Sequence, residues 1–242
     1  MTQHGILLSI ILPARDEAPN IVRTLLPLQG MRGRGAEVMV VDGGSQDDTV
    51  RCAEPLADRV LMAEPGRARQ MNAGAALARG EVLWFLHADT IAPANADRLV
   101  LDALTHGYRW GRFPVRLSGQ RRYPLLRLVA RMMNARSCVT GIATGDQGIF
   151  VARRAFDQVG GFPDIALMED VQISRGLKRS AGRPACLTEP LTTNSRRWEE
   201  NGIARTILFM WGLRLAFFFG VSPARLARHY HSHGAHDGIK SS

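Results

Sequence analysis

The feature that most narrows the fold is a run of five apolar residues, Val82-Leu83-Trp84-Phe85-Leu86, that ends abruptly in His87-Ala88-Asp89-Thr90. An apolar run of strand length with no polar alternation marks a strand covered on both faces, as in the middle of a parallel sheet. Open α/β sheets take their ligands beyond the carboxyl ends of the strands. An imidazole and a carboxylate directly after this strand therefore stand where a ligand belongs. Asp89 offers hard oxygen atoms suited to a divalent cation such as Mg²⁺ or Mn²⁺. Taken alone, it serves equally well as a cap on the turn into the next helix.

The residues before this run repeat the pattern. Residues 7–12 form a first strand, followed by the loop Pro13-Ala14-Arg15-Asp16-Glu17. Pro19 suits a first helical turn, and Ile21, Val22, Leu25 and Leu26 have the period that lays a helix on a sheet. Residues 37–41 are a second buried strand, ending in Asp42-Gly43-Gly44-Ser45, after which Asp47-Asp48-Thr49 opens a helix. A short strand over 59–62 leads to Gly66-Arg67-Ala68-Arg69-Gln70-Met71-Asn72 and an alanine-rich helix that stops at Gly80. Strand and helix thus alternate over the first 90 residues, which predicts an α/β protein with a mostly parallel sheet and right-handed crossovers. The strand ends carry Arg15 and Glu17, then Asp42, then Arg67 and Arg69, then Asp89. Singly, each reads as a solvated loop charge; on one edge of one sheet they make a site.

After Thr90 the alternation loosens. The spacing predicts a helix over 94–105, an extended piece over 110–117 and a helix over 123–136 with Arg127 and Arg131 on one side. Gly145-Asp146-Gln147-Gly148 turns into a strand, and a short helix over 153–159 is stopped by Gly160-Gly161-Phe162. Met168-Glu169-Asp170-Val171-Gln172 opens a further helix. Carboxylates in a first turn complement the helix dipole, so capping is the simplest account of Glu169 and Asp170. Short extended pieces over 184–189 and 191–195 precede Arg196-Arg197-Trp198 and a long helix from about residue 199.

A length of 242 residues suits one large α/β domain, alone or with a helical appendage. The net charge of +9 favours anionic partners: nucleotide, nucleic acid or an anionic lipid surface. The arginines are spread along the chain without the aromatic-interleaved patch that nucleic-acid binding wants, so nucleic acid is not an expected partner. Three cysteines, Cys52, Cys138 and Cys186, are too few and too scattered for a disulfide framework or a zinc cluster, and imply a reducing cytosol. Residues 1–5 are too short and polar for a secretory signal. The apolar stretch 207–221 is too short for an easy membrane span and contains Arg214. It reads either as a buried core or homodimer helix, or as an interfacial helix over 205–228. In the second case its aromatic residues dip into lipid while Arg205, Arg214, Arg225 and Arg228 meet anionic headgroups at the inner face of the membrane.

Several of these segments, taken in order, resemble the family 2 glycosyltransferases of the GT-A fold. They are Ile10-Ile11-Leu12-Pro13-Ala14-Arg15-Asp16-Glu17, Val40-Val41-Asp42-Gly43-Gly44-Ser45-Gln46-Asp47-Asp48-Thr49, the helix around Asn72 and Gly74, Phe85-Leu86-His87-Ala88-Asp89-Thr90, Gly160-Gly161-Phe162 and Glu169-Asp170. The resemblance runs over roughly residues 6–200. It implies a single Rossmann-like, mostly parallel sheet flanked by helices over 1–198, with a nucleotide-binding half at about 6–90 and an acceptor half at about 91–198. A C-terminal helical extension and flexible tail would occupy 199–242.

The implied activity moves a sugar, with inversion, from a UDP- or GDP-linked donor to a hydroxyl of a small-molecule or lipid-linked acceptor. By the resemblance, Pro13, Ala14, Glu17 and Asp42 would hold base and ribose. Arg15, Gly66, Arg67, Arg69, Asn72, His87 and Ala88 would complete the donor side, with Arg67 or Arg69 adding positive charge at the diphosphate. Asp89 would hold Mn²⁺ or Mg²⁺, with His87 a second candidate ligand. Asp170 would be the general base, and Gly145, Asp146, Gln147, Glu169, Arg197 and Trp198 would lie on the acceptor side.

Two departures stand out. The family's Asp-x-Asp is here His87-Ala88-Asp89, and the Gln-x-x-Arg-Trp of processive members is reduced to Arg196-Arg197-Trp198. Together with the lack of their membrane helices, the second favours single transfer over polymer synthesis. His87-Ala88-Asp89-Thr90, the 66–72 segment and Gly145-Asp146-Gln147-Gly148 are similar to a bacterial subfamily whose members are named arsenosugar-biosynthesis glycosyltransferases. Alternative functions are a nucleotidyltransferase and a sugar-nucleotide-binding protein without turnover. The first would show a glycine-rich phosphate loop after strand one, where this chain has Pro13-Ala14-Arg15-Asp16-Glu17; a dinucleotide-binding dehydrogenase is disfavoured for the same reason.

Overall fold

The computed structural model describes residues 8–200 and 202–234. Its first half alternates as the apolar spacing requires: β1 (Leu8–Ala14), α1 (Ala18–Leu25), α2 (Gln29–Gly33), β2 (Glu37–Asp42), α3 (Thr49–Ala53), β3 (Arg59–Met62), α4 (Arg67–Leu77) and β4 (Val82–Phe85). The second half begins with α5 (Ala96–Thr105), β5 (Trp110–Arg112), β6 (Val115–Leu117), α6 (Leu125–Thr140), β7 (Phe150–Ala152) and α7 (Arg153–Gln158). It continues with α8 (Glu169–Ser180), β8 (Ala185–Cys186), β9 (Leu191–Thr193), α9 (Arg196–Glu200), α10 (Ile203–Phe218) and α11 (Pro223–Gly234).

Seven strands form one sheet in the order β3-β2-β1-β4-β7-β5-β8. β1 through β4 pair in parallel, β7 runs antiparallel between β4 and β5, and β8 is parallel to β5. This is the mostly parallel α/β sheet that the alternation demands. Side chains of β1, β2 and β4 alternate between two cores. Ile10, Leu12, Val38, Val40 and Trp84 meet Ile21 and Leu25 of α1 on one face. Ile11, Met39, Val41, Leu83 and Phe85 meet Met71 and Ala75 of α4 on the other. Burial on both faces explains why these strands are apolar without alternation. α4 lies close to the sheet because Gly74 has no side chain: a Cβ there would come 2.5 Å from Ile11 Cγ2 and 2.9 Å from Val41 Cγ2.

The structure departs from expectation in three places. Residues 110–117 are not one extended piece, because Phe113 and Pro114 carry the chain from the large sheet into a small parallel pair, β6 with β9. The long helix expected from residue 199 is broken at Gly202, whose φ of 79° is in the left-handed region that glycine adopts without strain. The third departure concerns cysteine. Cys138 on α6 and Cys186 on β8 are joined in a disulfide that bridges 48 residues, and Cys52 is free. The cysteine count argues against a disulfide framework and for a reducing cytosol; this single bridge is not part of that expectation. Arg112 pairs with Cys186 across the sheet edge and donates through Nη2 to the Asn134 carbonyl of α6 at 2.8 Å, so edge strand and helix meet there. That proximity is tertiary, and cysteine spacing does not reveal it. Residue 7 of the first strand and the tail from 235 lie outside the described residues.

Candidate active site

The carboxyl ends of β1 and β2 are stitched into one rim. Asp42 is fully buried, and its carboxylate accepts from the backbone N–H groups of Gly44 and Ser45, each at 2.9 Å, and from the Ser45 hydroxyl. The Asp16 N–H donates to Ser45 Oγ at 2.9 Å, and the Gln46 N–H returns a bond to Asp16 Oδ1 at 2.7 Å. The Glu17 N–H donates to Thr49 Oγ1 at 2.7 Å. Pro13 and Ala14 pair with Val41 and Asp42 behind this rim, while Arg15 is exposed beside Asp16. Burial lifts the Glu17 carboxyl above its usual range; the Asn20 side chain opposes this and the nearby Asp89 adds to it. Glu17 and Asp89 therefore lie close enough to feel one another's charge.

Gly66, with φ of 139°, turns the chain into α4 and presents Arg67 and Arg69 in its first turn. They part company. Arg67 Nη1 lies 3.8 Å from Glu169 Oε1, whereas Arg69 binds Glu64 at 2.9 Å and Asp164 at 3.0 Å on the outer surface. Of the two arginines, Arg67 alone lines the cavity described below. Burial works against the Arg67 charge, but Glu169, Asp170 and Asp89 outweigh it and hold the guanidinium above its usual range. Asn72 is occupied elsewhere: its amide donates to the Phe162 carbonyl at 2.8 Å and accepts from the Phe162 N–H at 2.9 Å. It clamps the Gly160-Gly161-Phe162 turn and does not line the cavity described below.

Beyond β4, Ala88 is buried and its carbonyl accepts from Thr24 Oγ1 at 2.7 Å. This pins the loop that carries His87 and Asp89. Burial, then the Arg67 charge, hold His87 well below its usual range, so the imidazole is neutral. Its Nε2 is buried with no hydrogen-bond partner among the described residues. A Cβ on Gly145 would come 2.6 Å from that nitrogen, so glycine is what lets the 145–147 turn approach. Burial also raises Asp89, with Arg67 opposing.

The start of α8 supplies the remaining carboxylates. Met168 precedes it in the left-handed region at φ 72°, a strained setting for a side chain of this size. Asp170 Oδ2 accepts from the Gly145 N–H at 2.8 Å and Oδ1 from the Val171 N–H at 2.7 Å, which fixes the carboxylate plane. Glu169 is 5% exposed; burial and then the Asp170 charge raise it, against Arg67. Burial raises Asp146 too, opposed by Thr144 and Arg214. Gln147 is buried and used locally, its Nε2 donating to Ser137 Oγ at 2.9 Å and its Oε1 accepting from the Thr144 N–H at 3.1 Å.

The starts of α4 and α8, the loop after β4 and the 144–146 turn line a cavity of about 630 Å³, to which Arg67, His87, Asp89, Gly145, Asp146, Glu169, Asp170 and Trp198 of the residues expected from sequence contribute; Pro13, Ala14, Arg15, Glu17, Asp42 and Gly66 are not among its lining residues. Arg197 lies in α9, and its side chain is outside those described. The opposite wall was not anticipated. Val129, Met132, Met133 and Arg136 of α6 form it with Ile207, Met210, Trp211 and Arg214 of α10 and Tyr230 of α11. Residues beyond 198 are thus part of the cavity wall. The available signal was methionine in both helices and aromatic residues in α10, each helix with an arginine, but only docking shows that they line one cavity with Asp170.

Among the described residues, no three His, Cys, Asp or Glu side chains converge to hold a metal unaided. Asp89 lines the cavity with carboxylate oxygens of the kind that Mn²⁺ or Mg²⁺ takes, while His87 Nε2, buried beside Gly145, is a nitrogen donor less suited to Mg²⁺.

A parallel α/β sheet with acidic loops at its carboxyl edge and an arginine among them defines a GT-A-type domain. Residues 9–160, more than half of the chain, match the model of Glycosyl transferase family 2, and the chain belongs to that family. An uncharacterized glycosyltransferase of Mycobacterium tuberculosis (strain H37Rv) is 34% identical over 103 residues, a match covering 40% of this chain and 39% of that protein. The chain thus spans well under half the length of the curated relatives it matches. Among solved structures, S. aureus TarS 1–349 in complex with UDP-GlcNAc superposes with a TM-score of 0.63 at 18% identity, covering 78% of this chain and 58% of that one. Glucosyl-3-phosphoglycerate synthase from Mycobacterium tuberculosis, with Mn²⁺, UDP and glucosyl-3-phosphoglycerate bound, gives 0.56 at 17% identity, covering 78% and 71%. At these identities the likeness is one of fold. Among the described residues, no helix is long and apolar enough to cross a membrane.

Proposed function

We propose that the chain transfers a sugar from a nucleoside-diphosphate sugar to an acceptor hydroxyl, inverting the anomeric centre. The observation that carries this reading is the convergence of Asp89, Arg67 and Asp170 on one cavity. As the acceptor oxygen attacks the anomeric carbon, its proton passes to Asp170, and the bond to the diphosphate breaks on the opposite side. Negative charge grows on the leaving diphosphate, where the Arg67 guanidinium stabilises it. Asp89, with His87, would hold a divalent cation, which when bound neutralises the same charge. Gly145 and Val171 orient Asp170 through their N–H groups, so the base is aimed before the acceptor arrives. The UDP bound by the two solved neighbours supports a uridine donor. The arsenosugar-named subfamily is part of the proposal, resting on His87-Ala88-Asp89-Thr90 and Gly145-Asp146-Gln147-Gly148. Incubating the purified protein with Mn²⁺, a panel of UDP- and GDP-sugars and a mixture of hydroxyl-bearing small molecules and lipids should release nucleoside diphosphate in step with glycosylation of an acceptor. Binding without release would leave a sugar-nucleotide-binding protein, and release of pyrophosphate from a nucleoside triphosphate and a sugar 1-phosphate would make it a nucleotidyltransferase.

The reading includes work at an anionic membrane surface. Leu208, Trp211, Leu215 and Phe218 repeat at helical spacing along α10 and are 75%, 62%, 59% and 70% exposed. Arg225 and Arg228 are exposed on α11. Apolar side chains beside arginines suit the boundary between acyl chains and acidic headgroups. The protein is expected to float with phosphatidylglycerol vesicles at low salt and to leave them at high salt. Absence from the vesicle fraction at low salt, with a dimer in sedimentation, would assign the stripe to a second copy of the chain.

A further inference from the structure

We propose that the acceptor is an amphiphile bearing an anionic group, with that group held by Arg136 and Arg214 and its apolar part lying between α6 and α10. The proposal rests on the glycosyltransferase reading and names its acceptor class.

The first observation is an unanswered charge. Arg136 lines the cavity with Nε and Nη2 buried and without a hydrogen-bond partner among the described residues. A guanidinium stays protonated at physiological pH, and burying such donors unpaired is costly. Arg214 also lines this wall, and no carboxylate lies within 4.0 Å of either arginine among the described ion pairs. Burial, then the Arg214 charge, push Arg136 down to about 10, with Asp146 and Asp170 opposing. Two arginines on one cavity wall without a carboxylate partner among the described ion pairs are the arrangement that a phosphate or carboxylate relieves.

The second observation separates these arginines from the donor's cation. Arg67 Nη1 lies 3.8 Å from Glu169 Oε1, whereas Arg136 and Arg214 are in none of the described ion pairs, and all three line the same cavity as Asp170. The proposed base thus shares its cavity with one arginine already answered by a carboxylate and with two that are not.

The third observation is the apolar wall. Val129, Met132 and Met133 of α6 line the cavity together with Ile207, Met210 and Trp211 of α10. Met132 is 52% and Trp211 62% exposed, so the wall continues onto the surface. Methionine adapts to flexible chains.

Calorimetry with three probes tests this: octyl phosphate below its micellar concentration, inorganic phosphate as the anion alone, and 1-octanol as the chain alone. Octyl phosphate is expected to bind at least about tenfold more tightly than either fragment. Arg136→Gln and Arg214→Gln should each weaken it about tenfold or more while leaving UDP·Mn²⁺ affinity unchanged, which also reports that the variants fold. Met210→Gln should weaken octyl phosphate but not inorganic phosphate. Equal binding of octyl phosphate by the arginine variants and the parent overturns the anion site. Inorganic phosphate binding as tightly as octyl phosphate overturns the amphiphile in favour of a small soluble anion, and octanol binding as tightly overturns the anionic group. A parent that binds octyl phosphate but not UDP would leave the subsite standing and defeat the glycosyltransferase reading instead.

Discussion

Asp170→Asn is expected to fold, to bind UDP with Mn²⁺ at near-parent affinity, and to lose sugar transfer by at least about 100-fold. Asparagine keeps the size of the side chain, and its carbonyl oxygen can retain one of the two backbone N–H bonds from Gly145 and Val171. Losing the other costs about 1 kcal/mol of stability. What asparagine cannot do is accept the acceptor's proton. A purely structural Asp170 would give the stability loss without the collapse in turnover, so measuring both in the same preparation separates the accounts. The neighbouring Glu169 does not substitute readily. Successive helical residues point about 100° apart, and Glu169 is turned toward Arg67 at 3.8 Å. Near-normal transfer by a folded Asp170→Asn protein would move the base to Glu169 or Asp146. A second readout comes from Glu169, whose carboxyl is raised by burial and then by the Asp170 charge. With that charge removed, Glu169 should titrate at lower pH than in the parent, as a carboxyl resonance followed by NMR would report.

Asp89→Ala should abolish the strengthening of UDP binding by Mn²⁺ or Mg²⁺, bringing the affinity with metal down to the affinity in EDTA, a loss of at least about tenfold. Asp89 is the only carboxylate of the His87-Ala88-Asp89 segment, so no adjacent side chain can replace its oxygens. His87→Ala provides the comparison. If the unpartnered Nε2 binds the cation, this variant should show an intermediate loss that depends on metal and vanishes in EDTA. A loss that persists in EDTA would make His87 a direct partner of the nucleotide. Equal UDP affinity of the parent with Mn²⁺ and with EDTA would remove the metal from the proposal and leave Arg67 as the principal counter-charge to the diphosphate.

Much of the fold was written locally. The apolar runs of β1, β2 and β4, interrupted only by Ser9 in β1, announced strands covered on both faces, and the polar strand ends announced the edge that carries the site, because burial and strand period act on neighbours in the chain. Eight of the sequence-derived site residues line the cavity, including Asp89 and Asp170. The tertiary structure decided which polar side chains were free to face it. Arg67 and Arg69 are two residues apart and chemically alike, yet Arg69 is taken by Glu64 and Asp164 while Arg67 meets Glu169. Asn72 and Gln147 were drawn into hydrogen bonds with the Phe162 backbone and with Thr144 and Ser137. The wall of α6 and α10, the Arg136–Arg214 pair and the Cys138–Cys186 disulfide depend on how segments distant in sequence dock. A residue's type and its near neighbours determine what it can do. Its position against the rest of the packed chain determines whether that capacity is already spent on holding the fold.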